Sequence, residues 1–341
     1  MFFPTSAHFD SVEDLWRIPI HGWTFEPGQN SLRQKLGLRL MRKIAKVDKA
    51  TAETEMFQRR AGMFLVKNNR GRELAIRLQG RTFPVGPSGA NGHAYAKLSL
   101  TPSEAGLLQP SPDGAPHWLK FQAVLPAADE AGEQVLDGQV QLVPEDGLTV
   151  ISDIDDTIRD SRVSDRARLL RDSFSREYAP VPGMAEIYQR WRAAGAAFQY
   201  VSLTPWQLYE PVADLIRDCG FPAGGIALKF FNLKYSMALD LLNPPDAFKL
   251  RTITSMLTAF PRRRFILVGD SGGRDPEIYG RLAQSHAEQI LRVYIRNMTG
   301  EAADSPRLCE AFGAFPADRW QLFRDANEVV PITADSINEA R

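Results

Sequence analysis

Three carboxylates within four residues carry the first chemical signal: Asp153, Asp155 and Asp156 follow the apolar pair Val150-Ile151 and precede Thr157. Like charges packed this tightly need a cation, a proton or solvent to coexist. A hard divalent ion suits them, because magnesium takes oxygen ligands and few of them from protein. An apolar run that ends in charge reads as a buried parallel strand. In open α/β sheets the C-terminal end of such a strand is where ligands bind. The plain alternative is a solvated, Asp-rich turn.

Three further features share that context. Tyr200-Val201-Ser202-Leu203-Thr204-Pro205 is an apolar strand ending in hydroxyls where a helix begins. Lys249 stands near the start of a second helix, ahead of the apolar run at Phe265. Gly269-Asp270-Ser271-Gly272-Gly273-Arg274-Asp275 again reads as strand, tight turn and helix. A parallel sheet brings such ends to one edge. Together they supply the parts of phosphoryl transfer. A carboxylate can attack phosphorus and form an aspartyl-phosphate. A second carboxylate two residues on can protonate the leaving alkoxide and then deprotonate water. Hydroxyl, ammonium and backbone N–H groups can hold the phosphoryl oxygens, with magnesium offsetting their charge.

The order Asp153-x-Asp155-x-Thr157, Ser202, Lys249, Gly269-Asp270 and Asp275 resembles the motif order of haloacid-dehalogenase-like phosphohydrolases. Longer strings narrow the resemblance: VISDIDDTI (150–158), PVPGM (180–184), YVSLTPWQLY (200–209), FPRRRFILVGDSGGRDPEIY (260–279) and YIRN (294–297). These are similar to the catalytic domain of actin-patch-associated phosphatidate phosphatases, over roughly residues 140 to 300. The resemblance implies Asp153 as nucleophile and Asp155 as general acid/base. It implies Ser202, Thr204 and Lys249 as phosphate-binding groups. Mg2+ would be held by Asp153, the Asp155 carbonyl, Asp270 and Asp275, the last directly or through water. It also implies hydrolysis of phosphatidate to diacylglycerol and phosphate. The same chemistry on a phosphoprotein, a polynucleotide end or another phosphomonoester is the alternative. Thr204 stands where relatives often carry Ser, and Gly273-Arg274 replaces a more acidic pair. Asp156 receives no chemistry and reads as a cap of the following turn. Asp155 also separates subclasses, since resemblance to the superfamily's pump ATPases would put Thr there.

The elements that must position these residues divide near residue 147. Before it, short alternating runs separated by turn residues read as an antiparallel β-sandwich-like accessory domain, residues 1–146. From 147 to 341, strands and helices alternate as in a doubly wound, Rossmann-type parallel sheet of haloacid-dehalogenase-like form with only small cap insertions. Members of that superfamily without a large cap tend to act on bulky substrates. Residues 31–49 interrupt the β-rich region as a helix with Leu36, Leu40, Ile44 and Val47 in an apolar stripe. Seven basic residues there face one acid, Asp48. A membrane-surface helix and a helix packed across an open sandwich face both fit. A second short helix after Ser164-Asp165 sets Leu169, Leu170 and Phe174 against several arginines.

Lys plus Arg equals Asp plus Glu at 41 each, so nothing indicates a nucleic-acid partner. Cys219 and Cys309 are too few for a disulfide framework. With no signal-peptide pattern and no membrane-length apolar run, the expected location is cytoplasmic, with peripheral contact at a membrane surface. The expected partner is a phosphomonoester, and the resemblance implies a phospholipid. Two other function classes need testing. Gly269-Asp270-Ser271-Gly272-Gly273 fits G-x-S-x-G, which would make Ser271 the nucleophile of a serine hydrolase. That order demands a later acid and histidine, and the only later histidine is His286, at the end of the same helix. A non-catalytic lipid-binding module would usually have lost the nucleophile or the acid, and both stand here.

Overall fold

A computed structural model describes residues 1–26, 28, 32–106, 116–124, 135–161, 166–231 and 245–330. The chain forms two compact units. The first comprises Met1–Pro27, Val66–Glu145 and Gly224–Ile226. Its strands are β1 (Phe2–Phe3), β2 (Thr5–Asp10), β3 (Leu15–Trp23), β4 (Phe25–Glu26), β5 (Lys67–Asn68), β6 (Glu73–Leu78), β7 (Arg81–Pro87), β8 (His93–Leu100), β9 (His117–Val124) and β10 (Val135–Val143). All but the short β4–β5 pair join one curled sheet, in the order β1-β3-β2-β10-β9-β6-β7 with β8 on β3. Its inner face buries Ile18, Ile20, Ile76, Phe121, Val140 and Leu142 together. The period-2 alternation of β9 produces this, since Leu119, Phe121 and Ala123 turn inward while their neighbours face out.

Two features differ from the sequence reading. One hydrogen-bonded path replaces the two stacked sheets of a sandwich, and β2 runs parallel to β10, with Thr5 opposite Val140. Alternation reports that one face of each strand is buried. It does not report whether the facing layer is a second sheet or the same sheet curling back.

The second unit comprises Gly28–Leu65, Asp146–Ala223 and Ala227–Arg341. Its strands are β11 (Leu148–Ser152), β12 (Ala197–Pro205), β13 (Gly225–Lys229), β14 (Arg264–Asp270), β15 (Ile290–Arg296) and β16 (Trp320–Phe323). They lie in the order β13-β12-β11-β14-β15-β16, and the pairs β11–β12, β11–β14, β14–β15 and β15–β16 are all parallel. The protein is therefore a mixed α/β structure. β11 is buried at every residue, as expected for the centre of a sheet covered on both faces. The guanidinium of Arg263, itself buried, bonds Thr149 Oγ1 at 2.8 Å and the carbonyls of Asp146 and Leu148, fixing where β11 begins. The edge strand β16 had no counterpart in the sequence reading, its four residues being too short to show a period.

The helices are α1 (Leu32–Ala45), α2 (Lys49–Ala52), α3 (Glu55–Gly62), α4 (Arg166–Ser175), α5 (Met184–Ala193), α6 (Tyr209–Asp218), α7 (Pro245–Ala259), α8 (Asp275–Ser285) and α9 (Pro306–Phe312). α1 to α3, set among the β-rich residues by sequence order, cluster with the second unit. Met41, Ala45, Phe57 and Ala61 bury against Phe174 of α4 and Leu208. The Ser164-Asp165 cap lies outside the described residues.

Candidate active site

Parallel pairing of β11 with β12 and β14 brings their C-terminal ends to one edge. Asp153 follows β11 directly, and its backbone N–H bonds Val268 O at 2.9 Å. Ser202 and Thr204 close β12, and Asp270 is the last residue of β14. Asp275 opens α8, and Lys249 sits one turn into α7. Gly269 allows the turn: a Cβ there would lie 2.4 Å from Asp275 Oδ2 and 2.7 Å from Tyr279 Cε2.

Two groups of side chains result. In the first, the carboxylates of Asp153, Asp270 and Asp275 each offer an oxygen within 4.8 Å of the others, and all three residues are buried. Lys249 Nζ stands 2.8 Å from Asp153 Oδ1 and 2.6 Å from Asp275 Oδ1. The contact to Asp153 is an ion pair without hydrogen-bond alignment, so Asp153 Oδ1 is buried with no hydrogen-bond partner. Asp270 Oδ1 accepts from the backbone N–H groups of Gly272 (2.7 Å) and Gly273 (3.1 Å).

Burial pushes the Asp153 carboxyl well above the usual carboxylate range, against the pull of Lys249. Asp270 is pushed up to about 7, first by burial and then by the charge of Asp275. Burial works against the Lys249 ammonium, but Asp153 and Asp275 outweigh it and raise its pKa. Three buried acids against one ammonium leave negative charge without an internal partner, which burial makes costly. An all-oxygen donor set with a buried oxygen lacking a hydrogen-bond partner fits a hard divalent cation such as Mg2+.

In the second group, Asp155 is held at both oxygens. Oδ1 accepts from Arg159 Nη1 at 2.7 Å, and Oδ2 accepts from Thr204 Oγ1 at 2.7 Å. Ser202 Oγ in turn donates to Thr204 Oγ1 at 3.1 Å and accepts from the Thr204 N–H at 3.1 Å. Arg159 is buried, bonds Ser173 Oγ at 3.1 Å and lies 3.6 Å from the centre of the Tyr178 ring. Among the described residues, the carboxylate of Asp155 is not in the three-carboxylate cluster.

Asp156 turns the chain. At φ +56° it occupies the left-handed region that Asp tolerates, and its Oδ1 accepts from Ser161 Oγ at 2.5 Å and Ser161 N at 3.2 Å. The Ser271 hydroxyl is structural in its contacts. It accepts from the N–H groups of Met298 (2.9 Å) and Thr299 (3.2 Å), while His286 Nδ1 pairs with Ser285 Oγ at 2.9 Å.

Three arginines carry weight although the sequence reading gave them no role. Arg159 grips Asp155. Arg296 Nη1 bonds Asp156 O at 2.9 Å. Arg307 staples the 270–275 turn through Ser271 O (2.8 Å) and Gly273 O (2.6 Å). Only Arg159 had a local signal, its spacing of four from Asp155.

Residues 148–297 match the family described as "Phosphatidate phosphatase APP1, catalytic domain". Phosphatidate phosphatase APP1 of Saccharomyces cerevisiae is 34% identical over 164 residues, which cover 47% of this chain and 27% of the yeast protein. An uncharacterized protein of Schizosaccharomyces pombe is 26% identical over 169 residues, 48% of this chain and 27% of its own length. The chain thus aligns with about a quarter of each curated relative. A family 123 glycoside hydrolase structure from Clostridium perfringens aligns over 70% of this chain and 57% of that one, at 9% identity. Its TM-score of 0.16 carries no argument.

Proposed function

We propose, from the match of residues 148–297 to the family of APP1 phosphatidate phosphatase catalytic domains, that this chain is a phosphomonoester hydrolase acting on phosphatidate. The observation that carries the reading is the buried Asp153–Lys249 pair at the end of the central strand, with Asp155 two residues on and bonded to Thr204. The catalytic fold is then of haloacid-dehalogenase-like, Rossmann type within residues 147–341, joined by residues 28–65, and residues 1–27 and 66–145 form a β-rich accessory domain.

An Asp153 oxygen attacks phosphorus and the bond to the ester oxygen breaks, leaving an aspartyl-phosphate. Asp155 gives a proton to the departing alkoxide, then takes one from the water that attacks the intermediate. Phosphate leaves and Asp153 returns to its carboxylate. Ser202, Thr204 and Lys249 bind the phosphoryl oxygens. Arg159 orients Asp155 through the hydrogen bond from Nη1 to Oδ1. Asp153, the Asp155 carbonyl, Asp270 and Asp275 would hold Mg2+, which supplies positive charge opposite the phosphoryl oxygens.

The test is phosphate release from p-nitrophenyl phosphate and from phosphatidate in mixed micelles, with magnesium or EDTA. Magnesium-dependent release, faster on phosphatidate and lost in Asp153→Asn, is the expected result. Equal rates on soluble esters would retire the lipid substrate in favour of another phosphomonoester. Turnover by Asp153→Asn would retire the nucleophile.

A further inference from the structure

α1 turns an apolar face to solvent. Leu32 is 79% exposed, Leu36 56%, Leu40 48% and Ile44 41%. These residues recur every fourth position and so form one continuous row along the helix. The row is not the face that packs. Leu38, Met41 and Ala45 turn inward, onto Phe57, Phe174 and Leu208. Gly37 lets α1 approach Leu65 closely, since a Cβ there would lie 2.7 Å from Leu65 Cδ2. Three leucines and an isoleucine in one exposed row exceed the scattered apolar residues of an ordinary surface.

The charge beside the row selects what covers it. Lys35, Arg39, Arg42, Lys43 and Lys46 are all exposed, and α1 contains no acidic residue. On a helical wheel these cations flank the leucine row on the solvent side. A second copy of the helix would place like charges face to face. A bilayer bearing anionic headgroups meets both faces at once, with acyl chains against the leucines and phosphates against the cations.

The helix is also tied to the strand ends. Its inner face packs on Leu208, just past Thr204, and on Phe174 of α4, next to the Ser173 that bonds Arg159. Near them, Leu203 of the Ser202-Leu203-Thr204 segment is itself partly exposed, at 37%. Among the described residues no helix is long and apolar enough to cross a membrane.

We propose that α1 docks the protein on an anionic lipid surface, with Leu32, Leu36, Leu40 and Ile44 entering the interface and the flanking lysines and arginines binding headgroups. This goes beyond the catalytic reading and does not depend on it.

The experiment is flotation of the full chain with phosphatidylcholine vesicles, with and without phosphatidylglycerol, neither lipid being a phosphomonoester. Wild type is expected to float with anionic vesicles and to release at high salt. Leu36→Asp/Leu40→Asp should lower the partition coefficient roughly a hundredfold or more, while p-nitrophenyl phosphate turnover stays unchanged. Lys35→Glu/Arg39→Glu/Lys43→Glu should lower it on anionic vesicles only. Three results would overturn the proposal: no flotation by wild type, undiminished flotation by the leucine variant, or a wild-type dimer that the leucine variant splits. A wild type that floats yet hydrolyses no ester would overturn the phosphatase reading and leave the docking intact.

Discussion

Each unit buries a polar constellation, and the two solve the same problem in opposite ways. In the curled sheet, His21 Nε2 and His93 Nδ1 meet at 2.8 Å, with Trp23 stacked on His93 and Tyr95 stacked on His21. Burial holds both imidazoles well below their ordinary pKa, His93 at about 4, so the pair is neutral and each ring is packed on aromatics. At the parallel sheet, Asp153, Asp270 and Asp275 face one ammonium, and Asp153 Oδ1 has no hydrogen-bond partner. Imidazoles can shed their charge at neutral pH without losing their packing. Burial pushes the carboxylates toward protonation too, Asp153 well above the usual range and Asp270 to about 7, yet a proton on Asp153 would give up its ion pair with Lys249. A buried pair that discharges and stays packed is structural; a cluster that loses an ion pair when it discharges points to a cation that completes it.

The largest expected effect lies on the charged cluster. Asp153→Asn should lower kcat/KM on p-nitrophenyl phosphate by about a thousandfold or more, since a nucleophile acts as a unit with its partners. Removing one of three crowded acids should leave the melting temperature equal or higher. Loss of both activity and fold would erase the contrast between the two regions.

The neutral pair should answer to acid instead. The unfolded His93 imidazole takes its proton at 6.5, the folded one only near 4. Across that window the unfolded chain binds more protons, so stability falls as the pH drops through it. The shift corresponds to about 3 kcal/mol, fully present above 6.5 and lost toward 4. Urea unfolding followed by tryptophan fluorescence, with Trp23 stacked on His93 as a local reporter, measures the slope. His21→Phe/His93→Phe should flatten it, and a slope left unchanged would assign the acid sensitivity elsewhere.

This contrast also separates what the chain's residues announced from what they hid. Asp153, Ser202, Lys249 and Asp270 follow apolar strands or open helices, so spacing and period predict that they converge, and the structure brings Asp153, Lys249, Asp270 and Asp275 together. The histidines gave no signal, because His21 and His93 pair across β3 and β8 at a sequence separation of 72. α1 misled in a different manner. Leu36, Leu40, Ile44 and Val47 read as one apolar stripe, fit for a membrane surface or for packing, yet Met41, Ala45 and Val47 are buried while Leu36, Leu40 and Ile44 are exposed. Half of the residues of α1 are apolar and they fall on two sides of it, so periodicity finds an amphipathic element without choosing which side meets α3 and α4.

A smaller effect should come from cation binding. Saturating magnesium at about 100 times its dissociation constant should stabilise the second unit by about 2.7 kcal/mol, read as a rise in melting temperature. Asp270→Asn should abolish most of the rise without touching the acid slope of the histidine pair. Equal stabilisation in that variant would place the ion outside the cluster.

The smallest effect, and the sharpest probe of the divide, concerns Arg159. It stands between a satisfied network and the candidate acid/base, bonding Ser173 Oγ and lying under Tyr178 while holding Asp155 Oδ1. Arg159→Lys keeps the positive charge but loses the flat guanidinium that lies over the Tyr178 ring while Nη1 bonds Asp155 and Ser173. Asp155 keeps Thr204 at its other oxygen, so the carboxylate should loosen rather than leave. Misplacing a proton-transfer group on this scale should lower kcat by about tenfold, with KM for p-nitrophenyl phosphate held. A matched rise in KM would mean that Arg159 binds substrate. An unchanged kcat would make it a packing residue, on the same footing as the histidines of the curled sheet.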